Sequence, residues 1–274
     1  MEHRVYYLIF SIIFLILIII GKKIDIIAYS KNEKKKVETI LLQPNQKPIK
    51  INKINPKKDS EKKPFKEPQF KKQKHFESKI YWENRYKNGG NSGAGSYSNL
   101  AEFKAEIINE FVHNNSIELV IEWGMGDGNQ LTLAKYKKYI GFDVSITAVN
   151  LCKKKFINDS TKNFIWSGEK GFKTNIKGDL ALSLDVIYHL VEDNVFNSYM
   201  NQLLDSSKKY VIIYSCNFEK FEAVHVRCRK FSDWIEKHKK DWKLIKYIKN
   251  KFPYRKENKT HTSFSDFYIY EKKN

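Results

Sequence analysis

Residues Leu119–Leu131 read LVIEWGMGDGNQL, an apolar run that ends in an acid and is followed by three glycines at alternate positions. A short run of Leu, Val and Ile before a glycine turn is typical of a buried strand. Because glycine has no side chain, the turn predicts that a ligand approaches the backbone closely. In an open α/β sheet, the turn after the first strand lies at the carboxyl edge, where ligands bind.

The spacing of the glycines separates this turn from a dinucleotide-binding loop. A G-x-G-x-x-G pattern that starts at Gly124 requires a glycine at the position of Asn129. The pattern present is Glu122 followed by Gly124, Gly126 and Gly128. A carboxylate suits a cationic or zwitterionic ligand, since it accepts charge-assisted hydrogen bonds from an ammonium group.

The next strand-like segment, YIGFDVS, contains Asp143 at its carboxyl end. An acid at the end of the second strand is placed to bind the hydroxyls of a ribose. A ligand with an amino-acid end and a ribose end is S-adenosylmethionine, which is therefore the expected cofactor.

Strand-like and helix-like segments alternate from Phe76 onwards, which is typical of a doubly wound, mostly parallel α/β sheet. Helices are predicted over Asn99–Asn114, Ile146–Phe156, Asp193–Leu204 and Phe231–His238. Two late strand-like segments, WKLIKYIKN and DFYIYEK, have no clear helix between them. They predict an antiparallel edge in a sheet of about seven strands.

The segments EWGMGDG, GFDVS and LSLDVIYHLVED resemble class I (Rossmann-like) S-adenosylmethionine-dependent methyltransferases, and the likeness covers about residues 81–272. The segments YWENRYKNGGNSGAGSYSNLAEFKAEIIN, HVRCRKFSDWIE and SFSDFYIYEK resemble a bacterial and viral subgroup, some of whose members occur near glycan-assembly functions. The resemblance implies that Glu122 and the turn Gly124–Gly128 hold the methionine end. It also implies that Asp143 holds the ribose and that Asp185 faces the transferred methyl group.

Further residues are expected to contact the cofactor from outside these motifs. After the third strand, where the family often has an acid for the adenine, this sequence has Trp166 and Ser167. The glycine-rich stretch 88–98 is expected to form a lid over the cofactor. Stacking and one cation are expected from four residues just before it: Tyr81, Trp82, Arg85 and Tyr86. A linker between tether and domain is the alternative interpretation of this stretch.

The acceptor chemistry is predicted from the residues after the fourth and fifth strands. Methylases of exocyclic amines in nucleic acids usually carry a D/N/S-P-P-Y/F tetrapeptide there, whereas LDVIYHL has no proline. A hydroxyl acceptor requires a general base. The candidates are Asp185, His189 and His225, although His189 is equally a capping or packing residue. Arg227 and Arg229 are candidates to bind a phosphate or carboxylate of the acceptor, or they form a solvated basic loop.

The three cysteines, Cys152, Cys216 and Cys228, are odd in number and widely spaced. They match neither a disulfide framework nor a zinc-binding pattern. No metal site is therefore expected, and a reducing compartment is the simplest interpretation.

The uncharged, apolar segment Val5–Ile20 predicts a transmembrane signal-anchor over residues 1–21. A cleaved signal peptide is disfavoured because no small-x-small site follows, and a buried helix because the segment has no polar face. The Lys-rich flank places the rest of the chain on the cytosolic side. Residues 22–75 are rich in Lys and Pro and predict a disordered linker, which either contacts anionic lipids or acts as a spacer.

Residues 22–79 carry 18 Lys and 7 Asp or Glu, which is +11 of the net charge of +19. The basic excess therefore lies mainly outside the folded domain, and a nucleic-acid partner is disfavoured but stays open. We expect a membrane-tethered methyltransferase that O-methylates a sugar, a glycan precursor or another small hydroxyl acceptor. The alternatives are a protein or RNA methyltransferase and an inactive cofactor-binding module.

Overall fold

The computed structural model describes residues 76–273 of the 274-residue chain. Within that range the domain contains five α-helices and nine strands. The helices are α1 (Ser78–Lys87), α2 (Ser98–Asn114), α3 (Ile146–Lys155), α4 (Asp193–Asp205) and α5 (Phe231–His238). The strands are β1 (Leu119–Trp123), β2 (Lys138–Asp143), β3 (Lys162–Trp166), β4 (Gly178–Leu184), β5 (Ser207–Ser215), β6 (Lys220–Ala223), β7 (Val226–Cys228), β8 (Trp242–Ile248) and β9 (Asp266–Lys272).

Seven of these strands form one sheet in the order β3-β2-β1-β4-β5-β9-β8. β1 to β5 pair in parallel, and β9 lies antiparallel between β5 and β8. The predicted mostly parallel, seven-stranded sheet with an antiparallel edge is therefore confirmed. The strand order reverses at β1, which has β2 on one side and β4 on the other. This is the point at which open α/β sheets bind ligands.

The central strands are buried on both faces, which explains their nearly continuous apolar sequences. On one face α2 and α3 contribute side chains such as Ile108 and Val149 to the core. On the other face α4 and α5 contribute side chains such as Met200 and Phe231. Since helices cover both faces, the carboxyl edge of the sheet is the place left for polar functional groups.

The connection from β3 to β4 departs from the regular alternation of strand and helix. Residues 167–177, all within the described range, run between the two strands without an α-helix. Phe172 and Ile176 in this connection pack partly against the core. The connection and α4 form one wall of the cavity described below.

Helix α1 is an element that the sequence analysis did not predict. Its first residue, Ser78, donates from its backbone nitrogen to Glu192 Oε1 at 2.7 Å. Near its middle, Glu83 accepts hydrogen bonds from the hydroxyls of Ser145 and Thr147, each at 2.6 Å. The helix therefore spans the carboxyl edge from the end of β4 to the start of α3.

The segment between β5 and α5 corrects the interpretation of the cysteines. Residues treated as a loop in the sequence form the antiparallel hairpin β6–β7. The hairpin brings Cys216 and Cys228 together as a disulfide with Cα atoms 5.7 Å apart, and Cys152 is free and buried. The spacing did not reveal this pair because the hairpin itself was not predicted. A disulfide is typical of an oxidising compartment, not of the reducing one that was expected.

The predicted anchor and linker, residues 1–75, lie outside the described residues. Among residues 76–273, no helix combines the length and the apolar character needed to cross a bilayer.

A buried ion pair joins α2 to the end of β4. Lys104 Nζ lies 2.7 Å from Asp185 Oδ2, and the lysine side chain is fully buried. Asp185 has a φ of +60°, a left-handed conformation that is unusual for a residue with a side chain. Its Oδ1 accepts hydrogen bonds from Tyr188 at 3.0 Å and Ser265 at 3.1 Å. These three donors fix the conformation of the turn that follows β4.

We predict that Lys104→Met destabilises the domain by about 3–5 kcal/mol, because it leaves the buried Asp185 carboxylate without its cation. The measurement is urea unfolding of the full chain in detergent. Lys137→Met is the matched control, since Lys137 pairs with Glu118 on the surface and its loss costs at most about 1 kcal/mol. Equal losses for the two variants would contradict this account of the ion pair.

Candidate active site

A cavity of about 560 Å³ opens at the carboxyl edge of the sheet. The ends of β1, β2 and β4 form its floor, and α1 covers it through Trp82 and Tyr86. Six acidic residues and two lysines line it, together with His189. The acidic residues are Glu77, Glu122, Asp143, Glu169, Asp185 and Glu192.

The glycine turn lies on the cavity floor, where Gly124 and Gly126 line the space. All three glycines have positive φ angles, of 79°, 61° and 70° at Gly124, Gly126 and Gly128. A Cβ at Gly126 would lie 2.2 Å from the Ser92 hydroxyl, and a Cβ at Gly124 would lie 2.6 Å from Val186. The glycines are therefore required by the backbone conformation and by close packing of the chain on itself. This differs from the expectation, which attributed them to a ligand alone.

Glu122, at the end of β1, is buried and faces the cavity. Its Oε2 accepts a hydrogen bond from the Tyr139 hydroxyl at 2.7 Å. Burial raises the pKa of Glu122 from 4.5 to about 7, although the Tyr139 hydrogen bond and the charge of Lys104 act in the opposite direction. Without a cationic ligand, this carboxyl is therefore partly protonated at neutral pH.

Asp143, at the end of β2, is the second buried acid of the cavity. Its two oxygens accept hydrogen bonds from the backbone nitrogens of Gly126 at 2.9 Å and Ser145 at 2.8 Å. Burial raises the pKa of Asp143 to about 6 despite these two bonds. Each carboxylate oxygen keeps a further lone pair for a ligand hydroxyl.

Gln130 is a cavity residue that the sequence analysis missed. It follows the glycine turn in a short 3₁₀ segment, and its Nε2 donates to the Ala101 carbonyl at 3.0 Å. Its Oε1 is buried and has no hydrogen-bond partner among the described residues. The sequence Gly128-Asn129-Gln130 did not predict that Gln130 lines the cavity. The orientation of its amide is fixed by the hydrogen bond to Ala101 in α2, which is distant in sequence. The result is a buried acceptor without a partner in the lining of the cavity.

Asp185 lines the cavity as predicted from the end of β4. Its carboxylate already accepts from Lys104, Tyr188 and Ser265, as described above. Oδ1 already accepts two hydrogen bonds and Oδ2 is paired with the Lys104 cation, so the structure favours a positioning role for Asp185 over a role as general base.

His189 also lines the cavity, and its tautomer is defined by one contact. Its Nδ1 lies 2.9 Å from the backbone oxygen of His225. Because a carbonyl oxygen can only accept, Nδ1 carries the proton and Nε2 has the free lone pair. Burial lowers the pKa of His189 to about 4, although the hydrogen bond with the His225 backbone acts in the opposite direction. The imidazole is therefore neutral at pH 7 and able to accept a proton at Nε2.

The His225 side chain itself lies outside the cavity lining. Its ring stacks on Tyr81 with centroids 4.9 Å apart, and the rings of His189 and His225 lie 5.8 Å apart. His225 thus contributes its backbone oxygen to the site, and its ring fixes the hairpin against α1.

The two arginines predicted to bind the acceptor are engaged by the chain itself. Arg229 donates to Asp193 Oδ1 at 2.5 Å and to the Val191 carbonyl at 2.7 Å, and it is buried. Arg227 donates to the same Asp193 oxygen at 2.8 Å. Both side chains therefore attach the hairpin to the turn before α4.

Of the other residues predicted to contact the cofactor, Ser167 lines the cavity. Tyr81, Arg85 and Trp166 lie outside its lining. Arg85 donates to the Asn91 carbonyl at 2.5 Å, and Trp166 donates to the Val144 carbonyl at 2.9 Å.

The described part of the chain contains no group of three or more His, Cys, Asp or Glu side chains arranged to hold a metal ion.

No protein-family model and no curated protein matches the sequence. The fold, however, is similar to solved structures. The N-methyltransferase NodS from Bradyrhizobium japonicum WM9, in complex with S-adenosyl-L-homocysteine, aligns with a TM-score of 0.56 and 11% identity over 72% of this chain and 99% of that chain. A second structure of NodS aligns with a TM-score of 0.50 and 13% identity over 65% of this chain and 99% of that chain.

Magnesium protoporphyrin IX methyltransferase (ChlM) from Synechocystis PCC 6803, with bound S-adenosylmethionine, aligns with a TM-score of 0.51 and 14% identity over 72% of this chain and 98% of that chain. The chain thus has the fold of class I S-adenosylmethionine-dependent methyltransferases. At these identities the similarity defines the fold and does not define the activity.

The raised pKa of Glu122 makes the stability of the ligand-free domain depend on pH. Below pH 4.5 the carboxyl is protonated in both the folded and the unfolded chain. As pH rises to about 7, the unfolded chain releases this proton more readily, so the contribution of Glu122 to stability is lost. We predict that Glu122→Gln has a stability close to that of the wild type at pH 4.5. At pH 8 the variant is more stable than the wild type by about 3 kcal/mol.

The measurement is urea unfolding of both proteins at the two pH values. Glutamine keeps an acceptor for the Tyr139 hydroxyl, so the comparison isolates the charge. A stability difference that stays the same at pH 4.5 and pH 8 would show that Glu122 titrates at its ordinary pKa.

Proposed function

We propose that this protein is an S-adenosylmethionine-dependent methyltransferase. The observation that carries the proposal is the buried carboxyl of Glu122 on the floor of a cavity that is also lined by Gln130, whose side-chain oxygen has no partner among the described residues. Burying a carboxylate in its charged form costs free energy unless a cation pairs with it. In this cavity a ligand would supply that cation. The α-ammonium group of S-adenosylmethionine supplies both the charge and the N–H donors. The ligands of the NodS and ChlM structures named above support the same cofactor.

The rest of the cavity floor suits the other parts of this cofactor. Asp143 has lone pairs free for two ribose hydroxyls, and a ligand that donates to it favours its charged form. The glycine turn lies between Glu122 and Asp143 in the chain. Its backbone, which carries no side chains, would lie beneath the part of the cofactor that joins the methionine end to the ribose. S-adenosylmethionine would supply an electrophilic methyl group at its sulfonium.

The proposed acceptor group is a hydroxyl. His189 offers an unprotonated Nε2 on the cavity wall that can accept the proton of an acceptor hydroxyl. Its lowered pKa makes it a weak base in the ligand-free state, so it acts while the attacking hydroxyl becomes acidic in the transition state. As the acceptor oxygen attacks the methyl group, its proton passes to Nε2. The Nδ1–H bond to the His225 backbone oxygen stabilises the imidazolium that forms.

The proposed acceptor molecule is a sugar or another glycan precursor. Trp82 lines the cavity and contacts the His189 ring edge-on at 4.8 Å. Sugar rings pack their C–H faces on indole surfaces, and the acidic lining accepts from sugar hydroxyls. The same lining opposes a polyanionic acceptor, which supports a sugar over an RNA.

We also propose that residues 1–21 anchor the chain in a membrane, on the basis of the apolar segment Val5–Ile20. Such an anchor would concentrate the enzyme near lipid-linked or membrane-assembled acceptors. The Lys-rich flank favours a cytosolic catalytic domain. The Cys216–Cys228 disulfide favours an oxidising compartment instead.

Binding of S-adenosylhomocysteine provides the first test, because its ammonium group requires the charged form of Glu122. We predict that the affinity of the wild type falls about sixteenfold between pH 7.5 and pH 6. About eightfold comes from protonation of Glu122, with its pKa of about 7, and about twofold from protonation of Asp143, with its pKa of about 6. In Glu122→Gln, binding at pH 7.5 is at least about tenfold weaker because the charge-assisted hydrogen bond is lost. The fall with pH is then at most about twofold and comes from Asp143.

The measurement is isothermal titration calorimetry on the full chain in detergent, with NAD as the control ligand. Binding of NAD but not of S-adenosylhomocysteine would exclude the methyltransferase proposal.

The general base provides the second test. We predict that His189→Asn lowers kcat by about 10²–10⁴-fold and leaves the affinity for S-adenosylhomocysteine within about twofold. Asparagine can still donate to the His225 oxygen but has no group at the position of Nε2. The assay follows formation of S-adenosylhomocysteine with a panel of free and nucleotide-linked sugars. His113→Asn, at the exposed end of α2, is the control, and an unchanged kcat in His189→Asn would assign the proton transfer elsewhere.

A further inference from the structure

Glu192, in the turn between β4 and α4, has one oxygen bound and one oxygen free. Its Oε1 accepts from the backbone nitrogen and the hydroxyl of Ser78, at 2.7 and 3.1 Å. Its Oε2 is buried and has no hydrogen-bond partner among the described residues, although Glu192 lines the cavity. The first contact fixes the side chain, so the free oxygen has a defined position on the cavity wall.

Three buried side-chain atoms of the cavity wall lack a partner within the described residues, and all three are oxygens. They belong to Gln130, Glu192 and Gln202. A ligand that fills the cavity must therefore present hydrogen-bond donors to them. Gln130 lines the same cavity as Glu122 and accepts from the ammonium group in the proposed function. Glu192 lies on a different element and requires a different donor.

The position of Glu192 follows from the elements around it. Ser78, to which it is bound, begins α1, and the next residue, Lys79, donates from Nζ to the Gly168 carbonyl just after β3. Gly168 also lines the cavity, as does Val144 after β2. Glu192 is therefore linked through the start of α1 to the segment that follows β3, and both line the same cavity.

The part of the cavity next to the segment after β3 is the place for the base of the cofactor. The methionine end is held at β1 and the ribose at Asp143 on β2, so the base continues towards β3. The residues after β3 offer no carboxylate at the strand end, since Trp166 and Ser167 stand there. Adenine carries an exocyclic amine that donates N–H bonds and therefore needs an acceptor.

We propose that Glu192 Oε2 accepts a hydrogen bond from the exocyclic amine of the adenine and selects an adenosyl ligand over a hypoxanthine one. The proposal rests on the proposed function, because it assigns a residue to the same cofactor. In this arrangement one carboxylate has two roles. Glu192 Oε2 binds the base, and Oε1 caps the first turn of α1 through Ser78.

The test compares S-adenosylhomocysteine with S-inosylhomocysteine, in which a carbonyl oxygen replaces the amine. Both ligands are titrated into the full chain in detergent, as wild type, Glu192→Gln and Glu169→Gln. We expect the wild type to bind the adenosyl ligand at least tenfold more tightly. In Glu192→Gln the glutamine oxygen stays with Ser78, and its NH₂ group faces the base. The preference then falls to less than threefold or reverses, since the new donor suits the carbonyl of hypoxanthine.

Glu169→Gln is the matched control, because Glu169 lines the same cavity but is exposed after β3, and it should keep the wild-type preference. An equal loss of affinity for both ligands in Glu192→Gln would mean that Glu192 acts only on α1, and it would overturn the proposal. A wild-type preference that persists in Glu192→Gln would overturn it as well. Failure of the wild type to bind S-adenosylhomocysteine at all would instead overturn the proposed function.

Discussion

The buried ion pair between Lys104 and Asp185 is the interaction on which the geometry of the site depends. It links helix α2 to the end of β4 and holds Asp185 in a left-handed conformation. That conformation turns the chain into the 3₁₀ segment Ile187–His189, which brings His189 to the cavity wall. The charge of Lys104 also acts on Glu122, so one buried cation influences both the floor and the wall of the cavity. Because both partners are desolvated, neither can be removed without leaving the other uncompensated.

Local patterns predicted most of the fold because the central strands and amphipathic helices carry strong periodic signals. Helix α5 and strand β9 have the predicted bounds, and the sheet has the predicted seven strands. Helix α1 and the β6–β7 hairpin were missed because their stability comes from contacts with distant residues, such as Glu192 for Ser78 and Asp193 for Arg229. The Cys216–Cys228 pair was missed for the same reason.

The candidate site was predicted where the chemistry of a residue coincides with the end of a strand. Glu122 and Asp143 lie on the cavity floor because parallel strands place their carboxyl ends at one edge. The sequence did not predict Gln130 and Glu192 as cavity residues, because neither belongs to a recognisable motif. They became candidates only when the structure showed that each has a buried oxygen without a hydrogen-bond partner among the described residues. Arg227 and Arg229 were predicted to bind an anionic group of the acceptor because of their charge. In the structure both pair with Asp193, which the sequence alone did not show.

The charge distribution connects these observations to the choice of ligand. The chain is strongly basic, at +19, yet acidic residues outnumber lysines in its cavity by six to two. A polyanion attracted by the net charge would be repelled in the cavity. The lining contains carboxylates and side-chain oxygens that have no hydrogen-bond donor among the described residues. In the arrangement that we propose, a ligand with an ammonium group, hydroxyls and an exocyclic amine has an acceptor for each of these groups. Burial makes this discrimination strong, because charges that are screened at the surface interact more strongly where water is excluded. The buried acids of the cavity therefore decide which ligand we propose for it, and the excess of lysine elsewhere in the chain has little effect on that choice.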